Sequence, residues 1–218
     1  MKRTLLLGII FVVLLAFVGA VSANLVSNGG FDTAVPAFTG TFETLNAGSS
    51  VIAPWTVDSG SIDLVNSYWV PNSDPNSIDL AGNEPGKISQ PISTDIGGTY
   101  ELSFYMAGNP DQPGVKTLEI YWDGSQLTPS QTFDSTGHSL GAMGWTKITI
   151  PNLVATKTQT TISFENEAPN NAYGVALDDI SVVRTDIPVP EFPTMALPAG
   201  LIIGLVGTVL FMQRSKEN

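Results

Sequence analysis

The chain has 218 residues, a formal net charge of −11 at pH 7, no cysteine and one histidine. Such an acidic surface repels phosphate backbones, which argues against nucleic acid as a partner. The absence of cysteine excludes thiol catalysis and thiolate metal sites, and a single histidine excludes most zinc sites. Acidic, oxygen-rich loops suit hard cations such as calcium, although the same acidity could simply keep a surface protein soluble.

The first 23 residues have the pattern of a secretory signal peptide. Lys2 and Arg3 precede an apolar run over residues 4–20, and Val21-Ser22-Ala23 then supplies small residues before a cleavage position. We therefore expect an N-terminal signal helix over 1–23 with cleavage after Ala23. An uncleaved membrane anchor is the alternative.

The body of the chain, residues 24–186, is predicted to be all-β. Its clearest strand lies between Tyr100 and Met106, where apolar side chains alternate with polar ones. No stretch of the body shows convincing helical periodicity, and Gly, Pro and Asn turns separate the strand candidates. Roughly eight to ten short strands of this kind predict a single jelly-roll β-sandwich.

The last strand of the body contains a fault in its alternation. Val175 and Leu177 are in phase with each other, whereas Ile180 and Val182 are in phase but shifted by one residue. The slip falls at Asp178-Asp179, and one extra residue between two alternating halves is what a β-bulge produces. A bulge here would turn at least one carboxylate out of the regular pleat.

Four aromatic residues are candidates for stacking against sugar rings. Tyr68 and Trp69 fall in a loop, and Tyr105 and Tyr121 fall on the polar faces of strands. The alternative is that these rings pack under loops or across strands. The remaining tryptophans are assigned to the core: Trp55, Trp122 and Trp145.

Enzymatic motifs in the body are weak. Gly137–Gly141 matches G-x-S-x-G, but the elbow needs a preceding strand, a following helix and a later histidine, which this sequence lacks. Glycoside hydrolysis needs two carboxylates flanking one bond, and outward carboxylates such as Glu101 and Glu119 are commonplace on a sandwich. We therefore expect no catalytic residues, with a glycoside hydrolase as a remote alternative.

The C-terminal end combines three segments in a fixed order. A Pro-rich linker at 187–194 contains Pro190-Glu191-Phe192-Pro193, residues 195–212 form an apolar stretch long enough for a transmembrane helix, and residues 213–218 form a basic cytoplasmic tail. This order resembles the PEF-CTERM sorting signal of archaeal surface proteins, carried by Pro190, Glu191, Phe192 and Pro193. The resemblance implies processing by an archaeosortase, removal of the helix and attachment to a lipid. A plain single-span anchor is the alternative, and both place the body outside the cytoplasmic membrane.

A set of short segments, spread in order along nearly the whole body, matches a single family pattern: 24–26, 28–32, 77–80, 86–90, 99–104, 108–110, 144–145, 173–174 and 177–180. Through these segments the body resembles the choice-of-anchor C domain family, which is similar to plant cell-wall proteins containing a domain of unknown function. The resemblance implies a galactose-binding-like jelly roll, the fold of many carbohydrate-binding modules, and a structural calcium ion held by Asp32, Asp178 and Asp179.

Together these features predict a membrane-anchored extracellular surface protein. Its jelly-roll domain is expected to bind cell-envelope or extracellular glycans without catalysis. The alternative is a structural or adhesive protein of the cell envelope that binds no small ligand.

Overall fold

The computed structural model, which describes residues 22–73, 75–167, 171–186 and 204, builds Ser22–Asp186 from two antiparallel β-sheets. The first sheet has the strand order β1-β3-β4-β11-β6-β9, and the second has the order β2-β5-β10-β7-β8. This confirms the prediction of an all-β sandwich. The strands are β1 (Phe42–Asn46), β2 (Thr56–Ser59), β3 (Ser61–Val65), β4 (Ser77–Asp79), β5 (Lys87–Ser93), β6 (Thr99–Gly108), β7 (Val115–Trp122), β8 (Ser125–Asp134), β9 (Thr146–Val154), β10 (Gln159–Asn166) and β11 (Val175–Arg184).

The main core lies between the two sheets and is built by alternation along each strand. On β6, Tyr100, Leu102, Phe104 and Met106 are all buried, as their shared phase predicts. Aromatic rings from both sheets meet there, with ring centroids 5.4 Å apart for Phe104 and Phe164. Trp55 and Trp122 are buried in this core, whereas Trp145 is half-buried in a second cluster outside it, so its core assignment was wrong.

The beginning of the body pairs with its last strand. The amide of Leu25 donates to the carbonyl of Val182 over 2.8 Å, and the amide of Ile180 donates to the carbonyl of Gly29 over 3.0 Å. A Cβ on Gly29 would lie 2.0 Å from the Ile180 carbonyl oxygen, so only glycine allows this approach.

The bulge predicted in the last strand is present. The pairing of β11 with β6 shifts register between Asp178 and Ser181, and Asp179 has a φ of 50°. A positive φ on a non-glycine residue re-aims its side chain relative to the regular pleat. The structure therefore confirms that the slip in alternation corresponds to a bulge.

Four predictions fall on residues outside the described ranges. They are the signal segment up to residue 21, the linker with Pro190, Glu191, Phe192 and Pro193, the apolar stretch 195–212 apart from Gly204, and the basic tail 213–218. No helix among the described residues has both the length and the apolar character that crossing a bilayer requires.

Candidate ligand-binding cleft

A cleft of about 270 Å³ opens on the outer face of the six-stranded sheet, over β1, β3 and β4. Alternation explains its position: Ile62 and Leu64 of β3 point into the core, so Asp63 between them points outward. The loops around residues 66–69, 82–83, 109–111 and 172–173 complete its walls.

Aromatic rings form one wall of the cleft. Phe42 and Tyr173 are 44% and 39% exposed, and Tyr68 is half-buried beside them. The rings of Phe42 and Tyr68 make an edge contact with centroids 5.3 Å apart. The Tyr68 hydroxyl donates to Asp111 Oδ2 over 2.5 Å, which fixes the ring and raises the pKa of Tyr68. The wall is therefore amphipathic and held in place.

Trp69 also borders the cleft, but its ring is only 4% exposed. Its indole N–H donates to Ser77 Oγ over 2.8 Å, and its ring packs in the second apolar cluster with Val65 and Met143. For Trp69 the alternative left open by the sequence holds: the ring packs under the 135–145 segment, which folds over this loop. Trp145 supports the same loop by donating its indole N–H to the Val70 carbonyl over 3.0 Å.

Two carboxylates face each other across neighbouring strands at the cleft. Asp63 of β3 is in register with Asp79 of β4. Asp63 Oδ1 accepts a 2.5 Å hydrogen bond from the Thr44 hydroxyl, and burial raises the pKa of Asp63. This pair places two acidic groups side by side without an ion-pair partner among the described residues.

Asp79 organises the loops at this end of the cleft. It is 1% exposed, and burial raises its pKa to about 8. Its Oδ1 accepts 3.0 Å hydrogen bonds from the amides of Ala81 and Gly174, and its Oδ2 accepts a 2.8 Å bond from the Asn109 side chain. One side chain thus ties together three loops that are distant in sequence.

The other two predicted aromatics lie away from the cleft. Tyr105 lies on β6 in the same sheet, half-exposed and in register with Lys147. Tyr121 lies on β7 of the other sheet, where Lys87 Nζ is 3.9 Å from its ring centroid and its hydroxyl donates to Glu119 over 2.6 Å. The four aromatics therefore do not form one site, and only Tyr68 and Trp69 line the cleft.

The residues predicted to hold calcium lie close together at the bulge. A Cβ on Gly30 would lie 3.0 Å from Asp32 Oδ2 and 3.5 Å from Asp179 Oδ1, so both carboxylates converge on that glycine. Asp178 is buried beside them in the sheet, and burial raises its pKa to about 7.

The carboxylates of the bulge already accept hydrogen bonds from a single loop. Asp178 Oδ2 accepts from the amides of Asn72 and Ser73 over 3.0 and 2.9 Å. Asp179 accepts from the side chains of the same two residues over 2.7 and 2.8 Å. Oxygen donors of this type are what calcium takes, but no group of three or more acidic or histidine side chains in the described ranges is placed to hold a metal ion. Calcium therefore stays a prediction from the family resemblance.

Several cleft residues were not singled out from the sequence as ligand contacts. The signal for two of them was present, since Asp63 and Asp79 occupy the polar phase of short alternating strands. The others lie at the start of β1 or in turns and loops, and only the fold reveals their partners. They are Phe42, Asn83, Asn109, Asp111 and Tyr173.

Two antiparallel sheets packed face to face, with a ligand-sized cleft on one outer face, define an antiparallel β-sandwich. The xylan-binding domain CBM22-1 of Xyn10C from Paenibacillus barcinonensis is similar, with a TM-score of 0.51 at 12% identity over 78% of this chain and 99% of that domain. An α-L-arabinofuranosidase solved with bound arabinose also has a TM-score of 0.51, at 16% identity over 77% of this chain and 27% of that one. At these identities the likeness shows the fold alone.

The chain belongs to the family described as Protein of unknown function (DUF642), whose pattern matches residues 24–183. Residues 189–216 match the PEF-CTERM archaeal protein sorting domain. Among curated proteins, Halomucin of Haloquadratum walsbyi is 36% identical over 195 residues, which cover 85% of this chain. The chain spans only 2% of the length of Halomucin.

Proposed function

We propose that the sandwich is a non-catalytic carbohydrate-binding domain and that the cleft beside Tyr68 is its binding site. The observation that carries this proposal is the set of partly exposed rings, Phe42, Tyr68 and Tyr173, along one wall of a ligand-sized cleft. Aromatic faces stack on the apolar faces of sugar rings, and such rings rarely remain exposed together without a partner.

Polar groups on the cleft complement these rings. Asp63 and Asp111 supply carboxylate oxygens, and Asn83 supplies an amide that both donates and accepts. Sugar hydroxyls need acceptors and donors at fixed positions, and these polar side chains lie beside the rings in the same cleft. The cleft of about 270 Å³ is slightly smaller than the ~300–1,000 Å³ typical of small-ligand pockets, so it suits a short stretch of glycan.

The setting of the domain is the cell surface. The archaeal sorting domain at 189–216 and the Halomucin relative both support export. We further propose the finer steps implied by the sequence: signal cleavage after Ala23, archaeosortase recognition of Pro190–Pro193, and retention at the cytoplasmic membrane through the C-terminal helix or a replacing lipid. Membership of the choice-of-anchor C group is part of the same proposal, because that group pairs similar domains with different anchors.

A glycan array tests the proposal directly. The full-length chain, kept in mild detergent because of its apolar ends, is applied to neutral, amine-bearing and acidic polysaccharides. We expect selective binding to at least one of them and no release of reducing sugar. Failure to bind any glycan, together with self-association, would instead favour the structural or adhesive role. Turnover of a bound polysaccharide would establish an enzyme.

The calcium proposal has a separate test. If Asp32, Asp178 and Asp179 hold the ion, a chelator should lower the melting temperature, since a ligand that binds only the folded state stabilises it. Asp178→Asn should remove the difference between the two buffers, whereas Asp58→Asn on β2 of the other sheet should preserve it. Identical melting curves of the unaltered protein with and without chelator would show that hydrogen bonds alone hold this bulge.

A further inference from the structure

Over the part of the chain that the structure describes, the cleft is lined by acidic side chains without a basic one. Asp63, Asp79 and Asp111 line it, and no lysine, arginine or histidine is among the described residues that do so. Lys116 interacts electrostatically with Asp79, but it is 8% exposed and does not border the cleft. A ligand in the cleft therefore meets acidic groups without a compensating cation.

The three carboxylates differ in what they can offer a ligand. Asp79 already accepts from the amides of Ala81 and Gly174 and from the Asn109 side chain, and burial raises its pKa to about 8, so near pH 7 it contributes structure rather than negative charge. Asp63 and Asp111 each accept one hydroxyl, from Thr44 and Tyr68 respectively. An ionised carboxylate has about four acceptor positions, so both keep capacity for further donors.

An ionised carboxylate accepts hydrogen bonds and donates none. The ligand that fits it best therefore brings hydrogen-bond donors. A neutral sugar brings hydroxyl donors, and a protonated amine brings charge-assisted donors that form stronger bonds. A uronate or sulfate group brings hydrogen-bond acceptors and a negative charge. The carboxylates of the cleft repel that charge at short range, and each negative group makes ionisation of the other less favourable.

Resting on the proposed glycan-binding function, we propose that the cleft admits neutral and amine-bearing sugars and rejects sugars that carry a carboxylate or sulfate. Because Asp111 is hydrogen-bonded to the Tyr68 hydroxyl, a sugar that stacks on the Tyr68 ring lies close to this carboxylate. The same field that repels an acidic sugar strengthens binding of a basic one.

The test uses three versions of one backbone, each measured by calorimetry with the full-length chain. The first set is a β-1,4-linked glucan oligosaccharide with its C6-carboxylate and 2-amino forms. The second set is the same three forms of a β-1,4-linked galactan. Any further backbone that the array identifies is tested in the same three forms. We expect the carboxylate form to bind at least about tenfold more weakly than the neutral form, and the amino form to bind at least as tightly. The difference in affinity between the neutral and the carboxylate form should decrease as salt is raised from about 0.01 to 1 M, because the Debye length falls from about 30 to 3 Å.

Variants locate the selection in the cleft. Asp111→Asn should reduce the discrimination against the carboxylate form several-fold, with retained folding checked by its melting temperature. Asp58→Asn is the matched control, because it removes the same charge from an exposed position on β2 of the other sheet. Wild-type binding of the carboxylate form that equals or exceeds that of the neutral form would overturn the selection and leave the glycan-binding proposal intact. Binding of no version on any backbone would instead overturn the glycan-binding proposal itself.

Discussion

Each sheet places two carboxyl groups directly opposite each other on its outer face, but among the residues described only one of the two pairs has a cation beside it. Asp63 and Asp79 are in register on β3 and β4, and Glu165 and Glu119 are in register on β10 and β7. On the second sheet, Lys87 Nζ lies 2.8 Å from Glu165 Oε2. Like charges directly opposite destabilise a sheet. A cation relieves this repulsion on the second sheet, whereas on the first sheet the raised pKa of Asp79 keeps that carboxyl mostly protonated near pH 7.

The aromatic residues follow the same division. On the second sheet, Lys87 covers the Tyr121 ring, whose hydroxyl is bonded to Glu119. On the first sheet, the Tyr68 ring borders an open cleft. The same residue types therefore form a network that includes a lysine on one face, and on the other a network that borders an open cleft and has no cation within the described ranges.

The largest expected difference between the pairs is in their response to pH. Burial raises the pKa of Asp79 from 3.8 to about 8, so between these values the folded chain holds a proton that the unfolded chain has lost. The stability that this group contributes is complete below about pH 4 and is lost as pH rises through about 8. Urea unfolding across this range should show a decrease of several kcal/mol in the free energy of unfolding.

Substitutions assign this pH dependence. Asp79→Asn, which mimics the protonated acid, should remove most of the dependence of the free energy of unfolding on pH. With chelator present, Asp178, whose pKa burial raises to about 7, should supply what remains. Asp63→Asn should move the transition to lower pH, because the charge of Asp63 helps to raise the pKa of Asp79. Glu119→Gln on the other sheet should leave the profile unchanged. A profile in wild type that rises from pH 4 to 8 would contradict the assignment.

Regular strands were predictable because their alternation is local. The faces of β6 and the bulge at Asp178-Asp179 follow from a period of two and a slip of one residue. The cleft was not predictable, because Asp63 and Asp79 become neighbours only through strand pairing. The burial of Trp69 depends on Met143, which lies far along the chain and folds over it. Local pattern thus determined the sandwich, and long-range pairing determined the site.

Truncating one member of each pair gives the second largest effect. Asp79→Ala leaves the buried amides of Ala81 and Gly174 and the Asn109 side chain without their acceptor, which costs about 3 kcal/mol. Glu165→Ala breaks a partly exposed ion pair and should cost less than about 1 kcal/mol. Urea unfolding at pH 7 measures both, and equal losses would show that the two pairs are energetically alike.

Removing one tyrosine from each face sharpens the functional side of the comparison. If the cleft binds glycan by stacking, Tyr68→Ala should weaken binding by about 2 kcal/mol, or roughly thirtyfold. Tyr121→Ala should leave the affinity unchanged, since Lys87 already covers that ring. Calorimetry with the best array ligand compares them, and a greater loss from Tyr121→Ala would move the site to the other sheet.

The smallest expected effect comes from making the second face resemble the first. Lys87→Met keeps much of the side-chain volume but removes the cation from Glu165 and from the Tyr121 ring. The lysine and glutamate side chains are 25% and 35% exposed, so solvent screens the pair and the loss should be about 0.5–1 kcal/mol. High salt should shrink the difference between the variant and wild type, because the contribution is electrostatic. A loss above about 2 kcal/mol that salt does not alter would mean that Lys87 acts through packing of its aliphatic chain instead.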